Sequence, residues 1–218
     1  MHPVLIAVIA ITVIISLAGF QNADVFEKYK FNVSAIKYKK EYIRLLSAGF
    51  LHADWGHLFF NMFTLYFFGP IVLEAFNIVG FILIYLGSII LGNLFSLYLY
   101  QKQGWYSAIG ASGGVSGILF AAIAVYPMIG IGILFIPIPI KGYVFGLLYF
   151  SYSVYMMLNP KPHDNIGHAA HLGGAAFGLV YAVVVEPEVA FSNIYFLGVM
   201  SLPLLYMAYQ VFVKKRIG

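Results

Sequence analysis

The chain has 218 residues, of which 62% are hydrophobic and 9% charged, where an ordinary soluble domain carries about 25% charged residues. So few charges cannot coat a globule of this size, which excludes a soluble core, and the zero cysteine count excludes disulfides, thiolate chemistry and Cys-ligated metal. The net charge of +4 comes chiefly from Lys28 to Arg44 and from Lys214, Lys215 and Arg216, clusters that suit anionic lipid headgroups and argue against a nucleic-acid partner.

In chain order, Val4 to Phe20 is apolar and ends in small residues, Ala18 and Gly19, yet no Lys or Arg precedes it. The basic start of a signal peptide is missing, so a retained first helix is expected. Gln21 to Ser47 holds six of the twelve Lys and Arg residues. It is too polar to span a bilayer and too rich in Phe, Tyr and Ile for a plain linker, which predicts a folded or interfacial loop. Helices are then expected over His57 to Phe76, Val79 to Tyr100, Ser112 to Tyr126, Gly142 to Leu158 and Ala169 to Val185, with a last candidate over Ile194 to Val213. Pro127 to Ile140 is apolar, but Gly130, Gly132, Pro137 and Pro139 make it a poor helix and assign it to a connection. The expected fold is all-α: one polytopic membrane helix bundle of six helices plus a seventh, over residues 1–218 and without internal repeats.

In such a chain the informative residues are polar ones at apolar depth, each of which needs a partner or a wet cavity. His57 and Asn61 follow His52 at the start of an apolar helix. Four residues apart, they share a face, and both are neutral hydrogen-bond donors able to stabilise an oxyanion; the same pair also reads as glue between helices. Gly110-Ala111-Ser112-Gly113-Gly114-Val115-Ser116-Gly117 sits where a loop meets a helix. A serine there lies beside free backbone N–H groups, although the segment alone reads better as a close-packing motif. The third cluster is Gly167 to Gly178, in which His171, Gly174 and Gly178 share one face, so the imidazole lies beside glycines that admit a neighbouring helix. His163, His168 and His171 raise a metal site as a competing reading, weakened by the lack of a nearby Glu, and no metal or other cofactor is expected. Together the clusters hold a hydroxyl, an imidazole base and oxyanion donors. No carboxylate is evidently placed to orient the base, so a Ser-His dyad is the economical reading, with Asp54 and Asp164 as weaker third members.

In these motifs the chain resembles the rhomboid family of intramembrane serine proteases. His52 with His57 to Asn61 matches its His, then His-x-x-x-Asn pattern; Gly110 to Gly113 its Gly-x-Ser-Gly motif; Ala170 to Gly178 its Ala-His-x-x-Gly-x-x-x-Gly pattern. The resemblance implies a six-helix core over about residues 41–186 with an extra helix over 194–213. It implies that Ser112 attacks the scissile carbonyl, that His171 takes its proton, and that His57, Asn61 and the Ser112 N–H hold the oxyanion, with His52, Gly110, Gly113, His168, Gly174 and Gly178 in support. It implies single-pass transmembrane proteins as substrates, within a lipid bilayer. One departure is Ile43 before Arg44, where many members have Trp. A catalytically inactive relative that binds membrane clients, which typically lacks the Ser or the His, and a polytopic transporter are the alternatives.

Sidedness sets two arguments against each other. With alternating crossings the first loop, Lys102 and Lys161 share one side, and the seventh helix adds Lys214, Lys215 and Arg216, leaving only Lys141 opposite. The positive-inside rule then puts the first loop in the cytoplasm, whereas the resemblance puts it, and the mouth of the site, on the extracytoplasmic side of the cell membrane. The latter is the expectation taken forward.

Overall fold

Helix α1 (Pro3–Gln21) opens on Pro3, with the His2 ring accepting the Val4 N–H at 3.2 Å. The computed structural model describes residues 2–133, 136–161 and 164–216. α1 ends at Asn22, whose carboxamide oxygen accepts the N–H groups of Asp24 and Val25 at 2.9 and 3.2 Å and so caps α2 (Ala23–Tyr29).

The first loop is folded, as its composition suggested. After α2 it makes a short strand β1 (Phe31–Asn32), then α3 (Val33–Lys39) and α4 (Arg44–Ser47). Phe31, Val33, Ile36 and Ala48 form its own small core. The Arg44 side chain is buried and satisfied: Nε meets Glu41 Oε2 at 2.6 Å, and Nη1 donates to the carbonyls of Glu27 and Lys30 at 2.8 Å each. Ile43, at the position of the missing Trp, is exposed.

Helix α5 (Trp55–Tyr100) is capped by Asp54, whose carboxylate accepts the His57 N–H at 2.8 Å. Its 46 residues would reach about 69 Å if straight, more than twice a bilayer core of about 30 Å. It is instead a hairpin. Asn77, at φ 54° and ψ −172°, breaks it, and the Asn77 side chain starts the second segment by accepting the Val79 N–H at 2.9 Å. The far end of that segment returns to the start of the first: Asn93 Nδ2 donates to the Leu45 carbonyl at 2.8 Å, and Gly49 abuts Ile89. The two helices expected here are therefore present, joined at Asn77.

Beyond α5, strand β2 (Ser107–Ala108) pairs antiparallel with β1 and ties the first loop to the segment entering α6 (Ser112–Val125). Gly113 to Ala124 are all buried, so α6 is the innermost helix. Its 14 residues measure about 21 Å, too short to cross the hydrocarbon core. The described residues between 127 and 140 are non-helical as expected, yet they are more than a connection: β3 (Gly130–Ile133) and β4 (Ile136–Lys141) pair antiparallel. Then come α7 (Gly142–Leu158), α8 (His168–Val185), a short unforeseen α9 (Pro187–Ser192) and α10 (Ile194–Ala208), which runs on as a π turn to Val213. The apolar helices make this an all-α polytopic membrane bundle.

α5, α6 and α8 meet where side chains vanish. A Cβ on Gly174 would overlap the Gly113 backbone, one on Gly178 the Gly117 backbone, and one on Gly92 the Ala170 carbonyl. Backbones touch because nothing stands between them.

Candidate active site

This glycine seam fixes the register of α6 against α8. Ser112 immediately precedes Gly113, and His171 lies one turn before Gly174 on the same face. The consequence is that Ser112 Oγ and His171 Nε2 stand 2.6 Å apart, within a short hydrogen bond. Ser112 is the first residue of α6, where backbone N–H groups lack helical partners.

Gly110 turns the chain into α6 at φ +116°, in a region where a side chain is strained. Space forbids one as well: a Cβ there would sit 2.7 Å from His57 Nε2 and 3.6 Å from Ser112 Oγ. His57 and Ser112 thus border the same small space. The Ala53 N–H reaches His57 Nδ1 at 3.5 Å, which leaves Nε2 to carry the ring proton and face that space. Asn61 is buried, and its amide donates to the His57 carbonyl at 2.9 Å. One of its two N–H groups is therefore committed to its own helix, while the other stays available beside His57.

Behind the serine, His52 is 1% exposed. Its Nε2 accepts the Ala111 N–H at 3.3 Å and its Nδ1 meets Ser16 Oγ at 2.8 Å. Burial, with the neighbouring His57 adding to it and Asp54 opposing, pushes its pKa down to about 3, so the ring is neutral. A cavity of about 20 Å³ adjoins Ser112, Gly110, Ala48 and Asn93, room for one water.

On the His171 side, the Tyr149 ring lies 21° from parallel to the imidazole with centroids 6.5 Å apart, and its hydroxyl meets Ser116 Oγ at 2.9 Å. His168 points elsewhere, its Nε2 3.1 Å from Asp164 Oδ2. Asp164 therefore engages His168, and the structure gives no bond from it, or from Asp54, to the His171 ring. His163 lies outside the described residues, among which no three metal-binding side chains converge. Tyr149 and Ser16 were missed from sequence. Ser16 had a usable signal, a hydroxyl inside an apolar helix; Tyr149 is one of 17 tyrosines and had none.

The rhomboid domain family matches residues 39–188. Among curated proteins, Rhomboid protein 1, mitochondrial, of Saccharomyces cerevisiae is 28% identical over 151 residues, 67% of this chain and 43% of that protein. Presenilin-associated rhomboid-like protein, mitochondrial, of Rattus norvegicus is 29% identical over 140 residues, 63% of this chain and 36% of its own length. Rhomboid-like protein 11, chloroplastic, of Arabidopsis thaliana is 30% identical over 152 residues, 63% of this chain and 50% of its own. The matched part of the chain spans half or less of each of these relatives.

These relatives correct the expectation of a cell membrane: their names assign them to mitochondria and chloroplasts. Hydropathy reports a hydrocarbon slab of about 30 Å and differs little from one bilayer to another, so composition had no means of distinguishing them. The extracytoplasmic opening, framed for the cell membrane, lapses with it.

Proposed function

We propose that this chain, which belongs to the rhomboid family, is a serine endopeptidase that cuts transmembrane segments of single-pass membrane proteins with Ser112 as nucleophile and His171 as base. The family is one of intramembrane proteases acting on membrane proteins. The observation that carries the finer reading is the 2.6 Å approach of Ser112 Oγ to His171 Nε2.

In this reading His171 Nε2 accepts the Ser112 hydroxyl proton as Oγ bonds to the scissile carbonyl carbon. The resulting oxyanion takes hydrogen bonds from the Ser112 N–H, His57 Nε2–H and the remaining Asn61 N–H. Collapse breaks the C–N bond, and the His171 imidazolium returns its proton to the leaving amine. Water then attacks the acyl-serine, His171 again taking and returning one proton. No metal takes part. The first residue of a short helix whose residues Gly113 to Ala124 are buried is a suitable place for this chemistry, because 14 residues are too few to cross the hydrocarbon core.

The names of the relatives support an organellar bilayer as the location. A client-binding role without catalysis is disfavoured by the presence and bonding of both Ser112 and His171. The test is cleavage of a transmembrane substrate by purified protein, compared with Ser112→Ala and His171→Ala.

A further inference from the structure

The hydrogen bonds around His52 all run in one direction. The Ala111 N–H can only donate, so His52 Nε2, 3.3 Å away, carries a lone pair and the ring proton of the neutral form sits on Nδ1. Nδ1–H therefore donates to Ser16 Oγ at 2.8 Å, and the Ser16 hydroxyl is left to donate to the Phe50 carbonyl at 2.9 Å. Ser16 is 0% and His52 1% exposed, so water does not stand in for either partner. The relay ends on the peptide between Gly110 and Ala111. Ala111 caps α6, so its N–H lies outside the helical ladder, and Gly110 at φ +116° is the most permissive link of the turn. Its other peptide is held as well, the Gly110 N–H donating to the Ala48 carbonyl at 2.9 Å.

We infer that Ser16, on the first helix, is a positioning residue for the nucleophile, fixing through the His52 ring the Gly110–Ala111 peptide that leads into Ser112. The inference rests on the serine-protease reading above. The Ser16 hydroxyl both accepts from Nδ1–H and donates to Phe50, and alanine can do neither. Without that hydroxyl Nδ1–H has no acceptor in a dry site, the ring is free to turn away from the position that pairs it with the Ala111 N–H, and the peptide that aims Ser112 loses its anchor. The neutral state that the relay needs is held by burial of the ring.

The experiment uses the full-length protein in detergent with a transmembrane substrate, together with ¹⁵N signals of the His52 ring. Ser16→Ala is expected to lower kcat about tenfold or more with KM little changed, and to move the His52 Nδ1 signal, whose N–H loses its acceptor. Ser16→Thr restores both. Should Ser16→Thr not accumulate, the pair Ser16→Ala with His52→Ala decides: a relay gives no loss beyond that of His52→Ala, whereas losses that multiply overturn it. Wild-type kcat and an unchanged His52 Nδ1 signal in Ser16→Ala would also overturn it. Cleavage surviving in Ser112→Ala would instead sink the protease reading, so the two failures are distinguishable.

Discussion

The Tyr149 ring stacks beside His171 while its hydroxyl, 2.9 Å from Ser116 Oγ, anchors it to the same helix that carries Ser112. Ser116 is thereby a partner of the base's neighbour. Tyr149→Phe keeps the ring and is expected to hold kcat within about threefold, whereas Tyr149→Ala frees the imidazole and lowers it about tenfold or more. Ser116→Ala leaves the Tyr149 hydroxyl unpaired at a cost of about 1–3 kcal/mol of stability while cleavage persists. Steady-state kinetics and unfolding of the three variants check this; equal kcat for Phe and Ala at position 149 rules out a role for the ring.

The glycine seam is tested by adding one methyl. Gly174→Ala and Gly178→Ala push a Cβ into the backbones of Gly113 and Gly117. Each is expected to destabilise by more than about 2 kcal/mol and to depress activity by parting Ser112 from His171. Gly198 has nothing within 4 Å of its added methyl, so Gly198→Ala is expected to stay within about 1 kcal/mol of wild type. Thermal unfolding in detergent of the three variants decides.

His52 makes stability depend on pH. Its folded pKa of about 3 lies below the ordinary histidine value of 6.5, so between those values the unfolded chain binds a proton that the folded one refuses. Stability due to this residue is complete above pH 6.5 and is lost as pH falls toward 3, at up to about 1.4 kcal/mol per pH unit. The difference in unfolding free energy between wild type and His52→Phe, followed from pH 7 to pH 4, is expected to shrink. A constant difference means that His52 titrates in the folded state as it does in the unfolded one.

For the oxyanion, His57→Ala and Asn61→Ala are each expected to lower kcat on the order of 10²-fold, with a combined loss smaller than the product. The Asn61 amide rests on the His57 carbonyl, so the two groups act together. Wild-type turnover in both single variants would make the pair structural glue.

The helices were legible because a membrane chain writes them as long apolar runs: α7 begins and ends as expected, and α6 and α8 differ by one residue. Ser112, His171 and the glycines shared a readable spacing, although spacing alone favoured packing over catalysis. What stayed hidden depends on partners distant in sequence. The β3–β4 hairpin lies in a run that reads only as non-helical, and the bond that engages Asp164, one of two weak candidates for a third catalytic member, with His168 has no signature in spacing. The His52 relay joins residues on α1, before α5 and before α6, which no local period connects.

The most direct measurement of the central claim is cleavage of a transmembrane substrate in liposomes containing chelator, with a mechanism-based serine reagent as a second readout. Wild type is expected to cleave and to be labelled. Ser112→Ala and His171→Ala are expected to do neither, and the double variant to be no worse than either single one. Proteolysis that survives in Ser112→Ala, or that chelator abolishes in the wild type, would contradict the Ser112–His171 mechanism.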